Sequence, residues 1–555
     1  MSRKNLELII FGKDIDQLGS EEENDELPIS KKDNDQLNSE EDSDEEDSDG
    51  EDYNRLGSEE NNDKVSSEEN NSPEENNSLE ENNNQLSPEE SNIRVVVGLD
   101  FGTTYSGFAY CHVNEERNLC SNDIWHGETG YLKTNTVLQY DAEYNNVKCW
   151  GAPALAKRKS RRVRKQNNSD GSMPVELFKL HLGDLSDEVK PKLPVDYKKA
   201  ITDYLREIGE VIKDTIKTRW PLIDYFENIL LVITVPAEFS DKSKAIMRVC
   251  AFNAGLIKEE CSTNLQFTTE PEAAAVYCME NLEGQNLARA GTNFMIVDCG
   301  GGTVDLTTQE VEWVIDIDFE IMKSIFEPVV QRILHLIKAQ LDNAQETCSA
   351  MFLVGGFSES KYLQKKIKQE FSHRVNNISV PTQPMAAISR GAAIYGLSIK
   401  LNDLNNIGND GNMKFVISSR VLKYTYGIIY HTKWKEGDPE HRKASGGYIE
   451  KFHCLARRGT KIDIDQEIET YCSPLYSYQR KLDNEIYYTK EYDGEYRNDP
   501  GMELLGKFHT DLPGSGTDRN VKLGITFGKM EIIATAKNMQ TGQSYRTTFK
   551  FDFDN

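Results

Sequence analysis

The stretch VVVGLDFGTTYSGFAY, Val95 to Tyr110, decides how the rest of the chain is read. An apolar run leads into Asp100, Gly102, Thr103, Thr104 and Tyr105, and then an apolar run resumes. That order reads as a buried strand, a tight turn and a second strand. Amides in a glycine turn can close on phosphate oxygens because no Cβ blocks the approach, and the hydroxyls add donors. Asp100 cannot face phosphate directly, so it implies a divalent cation held through water between carboxylate and polyphosphate.

A second stretch, MIVDCGGGTVDLTT from Met295 to Thr308, repeats the logic with Asp298, Gly300, Gly301, Gly302 and Thr303. One glycine turn is weak evidence, more often a plain hairpin than a ligand site. Two such hairpins about two hundred residues apart imply two lobes clamping one nucleotide. Neither fits the Walker or dinucleotide-binding glycine patterns, which open helices rather than hairpins.

The surroundings suit that reading. NILLVITVP, NFMIVDCGG and AMFLVGGFS are nearly continuous apolar runs ending in turn residues, as expected of strands covered on both faces of an α/β sheet. SDKSKAIMRVCAFNAGL starts at a Ser/Asp cap and stops at Gly255, and Phe326, Val330, Ile333, Ile337 and Leu341 recur at helical spacing. The α/β region is expected over residues 93–400, with a polar linker over 401–414. Beyond it, KIDIDQEIETY, VKLGITF, KMEIIATAK and YRTTFKFDF alternate between turns, which predicts an all-β sandwich over 415–555.

Charge is unevenly spread. Residues 1–92 hold 31 Asp/Glu and 7 Lys/Arg, so 24 of the 28 net negative charges of the 555-residue chain lie there. This Ser/Glu/Asn-rich segment has little to bury and reads as a long disordered acidic arm. The nearly neutral remainder gives no reason to expect nucleic acid as a partner. Apolar runs are too short for a signal peptide or a membrane span, and the ten cysteines form no C-x-x-C pair. A cytoplasmic protein is the expectation, with the nucleus as the alternative. The basic run KRKSRRVRK, from Lys157, reads as a solvated loop more readily than as an anion site. Tyr424, Tyr426, Tyr476 and Tyr478 read as packing residues.

GLDFGTTYSGFAY, DCGGGTVDL and FLVGGFSES together resemble the two phosphate motifs and the adenosine motif of the actin-like ATPase superfamily. ITVPAEFSDKSKAIMRVCAFNAGL and TTEPEAAAVYCME narrow the resemblance to the heat shock protein 70 family, and the divergent spelling GGFSES is most similar to its 12A-like branch. The resemblance covers about residues 93–555. It implies an α/β actin-like two-lobed ATPase domain followed by a peptide-binding sandwich. ATP or ADP with Mg2+ would be the cofactors, and unfolded or extended polypeptide the partner, with co-chaperones and a stress-response role as in the family.

Carried over by motif, Gly102, Thr103, Thr104 and Tyr105 would hold phosphates from one side, with Gly300, Gly301, Gly302 and Thr303 opposite. Asp100 and Asp298 would hold the hydrated magnesium, with Asp305 in the same polar cluster. Glu270 of TTEPEAAA falls where the family keeps a carboxylate beside the cleaved bond. Lys179 of ELFKLHL resembles the catalytic lysine, with an exposed surface lysine as the alternative. Gly355, Gly356 and Ser358 belong to the adenosine motif.

The chain also departs from the family. Gly302 and Gly355 are only 53 positions apart, less than half the family interval, so a shortened second lobe is expected. Glu359 replaces the arginine that stacks on the base, the helical lid is not expected, and the linker lacks an apolar run. Two other readings fit the same residues: a nucleotide-fold scaffold without turnover, and a metabolite kinase, which would share both hairpins.

Overall fold

The computed structural model describes residues 92–548 apart from 116–117, 157–172, 285–292, 300–318, 345–346, 406–416, 418 and 445. The acidic arm, the basic run and the glycines of the second hairpin, with Thr303 and Asp305, lie outside the described residues.

Every residue of Val95–Phe101 and of Ile229–Val235 is buried, which is why both strands are apolar almost throughout. They pair in parallel, Val95 opposite Ile229 and Leu99 opposite Ile233, and Leu265–Thr269 adds a third parallel strand. On the other side Tyr105–His112 folds back antiparallel, with Asp100 opposite Gly107. A second sheet of three parallel strands, Phe294–Asp298, Ala350–Val354 and Asn377–Ser379, stands apart from the first.

Two helices fill the space between the sheets. Ala273, Ala274 and Val276 of Glu270–Gly284 and Ala387, Ala392 and Ile394 of Ala387–Asn405 share one core with Val96 and Val232 of the first sheet and Phe352 and Val354 of the second. The outer faces are closed by Tyr197–Arg219 and Asp241–Asn253 on the first sheet and by Phe319–Asn343 and Lys361–Phe371 on the second. Ser240 caps Asp241–Asn253 by accepting from the Ser243 amide, and Gly255 ends it at φ +73°.

The two inner helices cross without room for a side chain. A Cβ on Gly391 would run into the Ala273 carbonyl. Gly391→Ala is therefore expected to force backbone apart and cost about 1–3 kcal/mol or more in denaturant unfolding. An unchanged midpoint would show that the helices separate freely.

The linker begins later than residue 401, because Ala387–Asn405 continues through five residues assigned to it. Ile394, Leu397, Leu401 and Leu404 keep the helical spacing, and this outweighs the Asn/Asp content. Beyond it, two four-stranded antiparallel sheets form. One runs Tyr448–Ala456, Thr425–Lys433, Lys481–Thr489, Glu503–Asp511, and the other Glu467–Cys472, Val521–Thr526, Ile533–Asn538, Ser544–Thr548. Ile428 and Ile486 of the first and Ile525 and Ala534 of the second lie in one core.

Tyr426 is buried and Tyr424 partly so, but Tyr476 and Tyr478 are not packing residues: they are 46% and 75% exposed and stack on each other at 5.5 Å. The fully buried Arg519 donates to the Leu512, Gly514, Gly516 and Ser477 carbonyls, and so ties down the loop that carries them.

The β-rich part packs directly on the α/β part. Arg248 donates through Nε and Nη2 to both oxygens of Glu531 at 2.6 Å, Lys244 Nζ donates to the Met530 carbonyl at 2.7 Å, and Tyr426 donates to Asp241 at 3.1 Å. Arg420 Nε donates to Glu272 Oε1 at 2.8 Å, and its Nη1 to the Gly528 carbonyl at 2.5 Å. No helix among the described residues is long and apolar enough to cross a membrane.

Candidate functional site

Parallel strands of an α/β sheet present ligands at their carboxyl ends, where turns replace the ladder. Four of these ends carry polar residues, Asp100, Thr234, Thr269 with Glu270, and Asp298, and a fifth runs into the turn at Gly355.

The first hairpin is built for a close backbone turn. A Cβ on Gly102 would collide with the Tyr105 carbonyl. Thr136 holds the turn from behind, donating its amide to the Thr104 carbonyl at 2.8 Å and its hydroxyl to the Gly102 carbonyl at 2.9 Å, with Ser106 Oγ 2.8 Å from the same hydroxyl. Gly102, Thr103, Thr104 and Tyr105 are half-buried, so the turn faces solvent while its flanks are fixed.

Asp100 is 2% exposed and accepts from Thr234 Oγ1 at 3.4 Å. Its other oxygen lies 2.6 Å from Lys133 Nζ. Lys179 is not a surface lysine: it is 2% exposed, and Nζ donates to the Phe101 carbonyl at 2.5 Å and to Glu270 Oε1 at 2.8 Å. The structure thus ties Lys179 to Glu270 and to the strand that ends in the first hairpin.

Asp298 ends its strand opposite Val354, and the Cys299 amide donates to the Val354 carbonyl at 2.9 Å. Its tip is open to water, but the protein mass around it displaces bulk solvent. That desolvation, with repulsion from Glu270 and Asp100, outweighs attraction by Lys133 and Lys179 and pushes its carboxyl up to about 6. Asp100, Glu270 and Asp298 therefore feel one another, and two lysines answer three carboxylates. Burial works against the charge of Lys133, but Asp100 outweighs it and holds the ammonium above its ordinary range.

Gly355 sits at φ +83°, and a Cβ there would strike Asp298 Oδ1 and the Cys299 carbonyl, so only glycine lets the two strand ends meet. Gly356 opens a short helical turn to Glu359, which is exposed. Ser358 is fully buried and donates to the Val354 carbonyl at 2.6 Å. Its hydroxyl is taken up by that backbone carbonyl and braces the turn from inside.

Two residues were not legible in the motifs. Lys133 enters because Thr134 pairs with Ser106 and Asn135 with Tyr105, which sets the lysine beside the hairpin neck. Glu272, the second acid of TTEPEAAA, is 1% exposed and receives Arg420, Thr268 and Thr269 rather than facing the cluster.

The donor set fits a hydrated divalent cation with a polyphosphate. Asp100 and Asp298 supply acceptors for metal-bound water, and the Gly102 turn and the lysines supply donors and charge for the phosphates. It does not fit a redox or thiolate metal site, since Cys299 is buried with its thiol pushed up to about 11 by desolvation.

No protein-family model matches the chain. Human heat shock 70 kDa protein 12B is 21% identical over 650 aligned positions, covering 84% of this chain and 92% of that protein. Human heat shock 70 kDa protein 12A is 22% identical over 648 positions, covering 83% and 92%. Heat shock 70 kDa protein II of Paracentrotus lividus is 25% identical over 270 residues, covering 46% of this chain and 63% of its own. The first alignment is longer than the 555-residue chain, so that relative carries segments this chain lacks. Homology to these proteins implies an actin-like ATPase fold, which the α/β architecture accommodates. Over more than four fifths of its length the chain is thus similar to the divergent 12A and 12B heat shock 70 kDa proteins.

Proposed function

We propose that this chain binds ATP and ADP with magnesium at the five strand ends, hydrolyses ATP there, and holds extended polypeptide on its β-rich part as a chaperone-like protein. The observation that carries the nucleotide reading is the convergence of Asp100, Glu270, Asp298, Lys133 and Lys179 beside a glycine turn that no side chain could occupy.

Each residue has a role that follows from its place. The Gly102–Tyr105 turn donates amides and hydroxyls to the phosphates, and Thr136 keeps it from opening. Asp100 and Asp298 would hold a magnesium ion through water, and that ion would neutralise charge on the phosphates. Lys179, fixed by Glu270 and the Phe101 carbonyl, puts its ammonium where charge develops on the transferring phosphoryl group. Gly300, Gly301, Gly302 and Thr303 lie outside the described residues and are assigned to the phosphates by the motif resemblance alone.

The test is calorimetry of the full chain with magnesium and ADP, beside a Thr103→Ala/Gly301→Val variant of equal folded content. Magnesium-dependent binding lost in the variant is expected. No binding by folded wild type overturns the proposal. A non-hydrolysing scaffold is the second reading, favoured by the 53-position interval and by the relatives' extra segments. Binding without any turnover would select it.

A further inference from the structure

The pair formed by Lys133 and Asp100 has a consequence for how such a site fills. Lys133 Nζ lies 2.6 Å from Asp100 Oδ2 with the lysine side chain 13% exposed and the aspartate 2%. It also feels Asp298 and Glu270. Lys179 is committed elsewhere, to Glu270 and the Phe101 carbonyl. The lysine's backbone is fixed too. Thr134 pairs with Ser106 on the hairpin strand, and a Cβ on Gly107, the residue opposite Asp100, would sit 2.8 Å from Lys133 Cγ. The stem is thus packed against the hairpin while the ammonium rests on a carboxylate that the nucleotide reading assigns to the metal.

We propose that Lys133 is an exchangeable cation of the site. It occupies Asp100 when no ligand is present, competing with a divalent ion, and it transfers to the polyphosphate when nucleotide arrives. This rests on the nucleotide reading above and deepens it. The electrostatic logic is short. Three carboxylates in a largely desolvated cleft would attract a bare divalent ion, but a built-in ammonium on one of them raises the cost of entry. An incoming polyphosphate offers Lys133 a new anion and frees Asp100 for metal-bound water. Metal and nucleotide then bind with positive coupling, and nucleotide keeps part of its affinity without metal because Lys133 supplies the charge.

The experiment separates this from a structural role by requiring opposite changes. Mn2+ binding without nucleotide, read from the manganese spin signal, is measured on the full chain for wild type, Lys133→Met and Lys133→Arg. ADP binding in excess chelator is measured on the same proteins by calorimetry. Lys133→Met is expected to bind Mn2+ about tenfold or more tightly and metal-free ADP about tenfold or more weakly, the scale of one hydrogen bond to a charged group. Lys133→Arg should stay near wild type in both. If Lys133→Met does not fold, Lys133→Gln replaces it with the same expected signs.

Unchanged Mn2+ affinity, or a fall in both affinities, overturns the proposal while magnesium-ADP binding by wild type leaves the nucleotide reading standing. Wild type that binds no ADP under any condition overturns both.

Discussion

Replacing Arg420 by methionine is expected to destabilise the chain by about 3–5 kcal/mol, because it strands a buried carboxylate. Glu272 is 1% exposed, and Arg420 reaches it from the short strand Ser419–Val421 of the β-rich part, bonding both carboxylate oxygens at 2.8 and 3.2 Å. Methionine keeps much of the volume but none of the charge. The Thr268 hydroxyl and Thr269 amide remain as donors, so the carboxylate is not wholly abandoned. A double variant, Arg420→Met with Glu272→Leu, should recover much of the loss, since no isolated charge is left. Denaturant unfolding of the four proteins measures this, and a single-variant loss below about 1 kcal/mol would show that the pair is not supporting the junction.

The pH dependence of that gap has a definite sign. Burial would raise Glu272, but Arg420 and the threonine donors outweigh it and hold the carboxyl below its ordinary value of 4.5. A carboxylate depressed in the folded state contributes stability above its unfolded value and loses it as pH falls through the folded one. In the Arg420→Met protein the same carboxyl keeps only the threonine donors against burial, which favours its protonated form, so that variant gains relative stability on acidification. The gap is therefore widest near neutral pH and narrows as pH drops toward and below 4.5.

The second large effect concerns Lys179. Lys179→Met is expected to lower ATP turnover by about 10²–10³-fold, the usual cost of removing one preorganised donor from a transition state, while magnesium-ADP affinity falls much less. Its burial makes this sharper than for a surface lysine, because little water can take its place. Far-ultraviolet dichroism and a cooperative melt establish that the variant is folded. Turnover within tenfold of wild type would remove Lys179 from the chemistry and return it to a structural tie between Glu270 and the Phe101 carbonyl.

Much of this site was legible because its demands are local. Asp100 stands near the end of a strand whose every residue is buried, with Gly102 and the threonines just beyond it, and sequence alone carries that contrast. Glu270 and Gly355 likewise stand at strand ends marked by a change from apolar to turn residues. Lys133 was not legible: nothing about a lysine in GYLKTNTV says that strand pairing will bring it to an acid 33 positions earlier. Ser358 looked like a ligand contact because it follows two glycines, yet its hydroxyl finds the nearer Val354 carbonyl. Tyr476 and Tyr478 read as packing residues because aromatics usually are, yet they lie 46% and 75% exposed on a loop whose Ser477 carbonyl is held by Arg519.

The bond between Arg248 and Glu531 spans 283 positions, and it sets a timetable. At synthesis rates of about 5–20 residues per second, Glu531 leaves the ribosome roughly 15–60 seconds after the helix that awaits it. Arg248 need not stay unsatisfied meanwhile, since it also donates to the Glu260, Ser262 and Leu265 carbonyls within its own part of the chain. Glu272 has the same provision in Thr268 and Thr269 before Arg420 emerges 148 positions later. The nascent α/β half can therefore complete its core while its docking charges are held by temporary neighbours, and the β-rich half joins a surface already assembled.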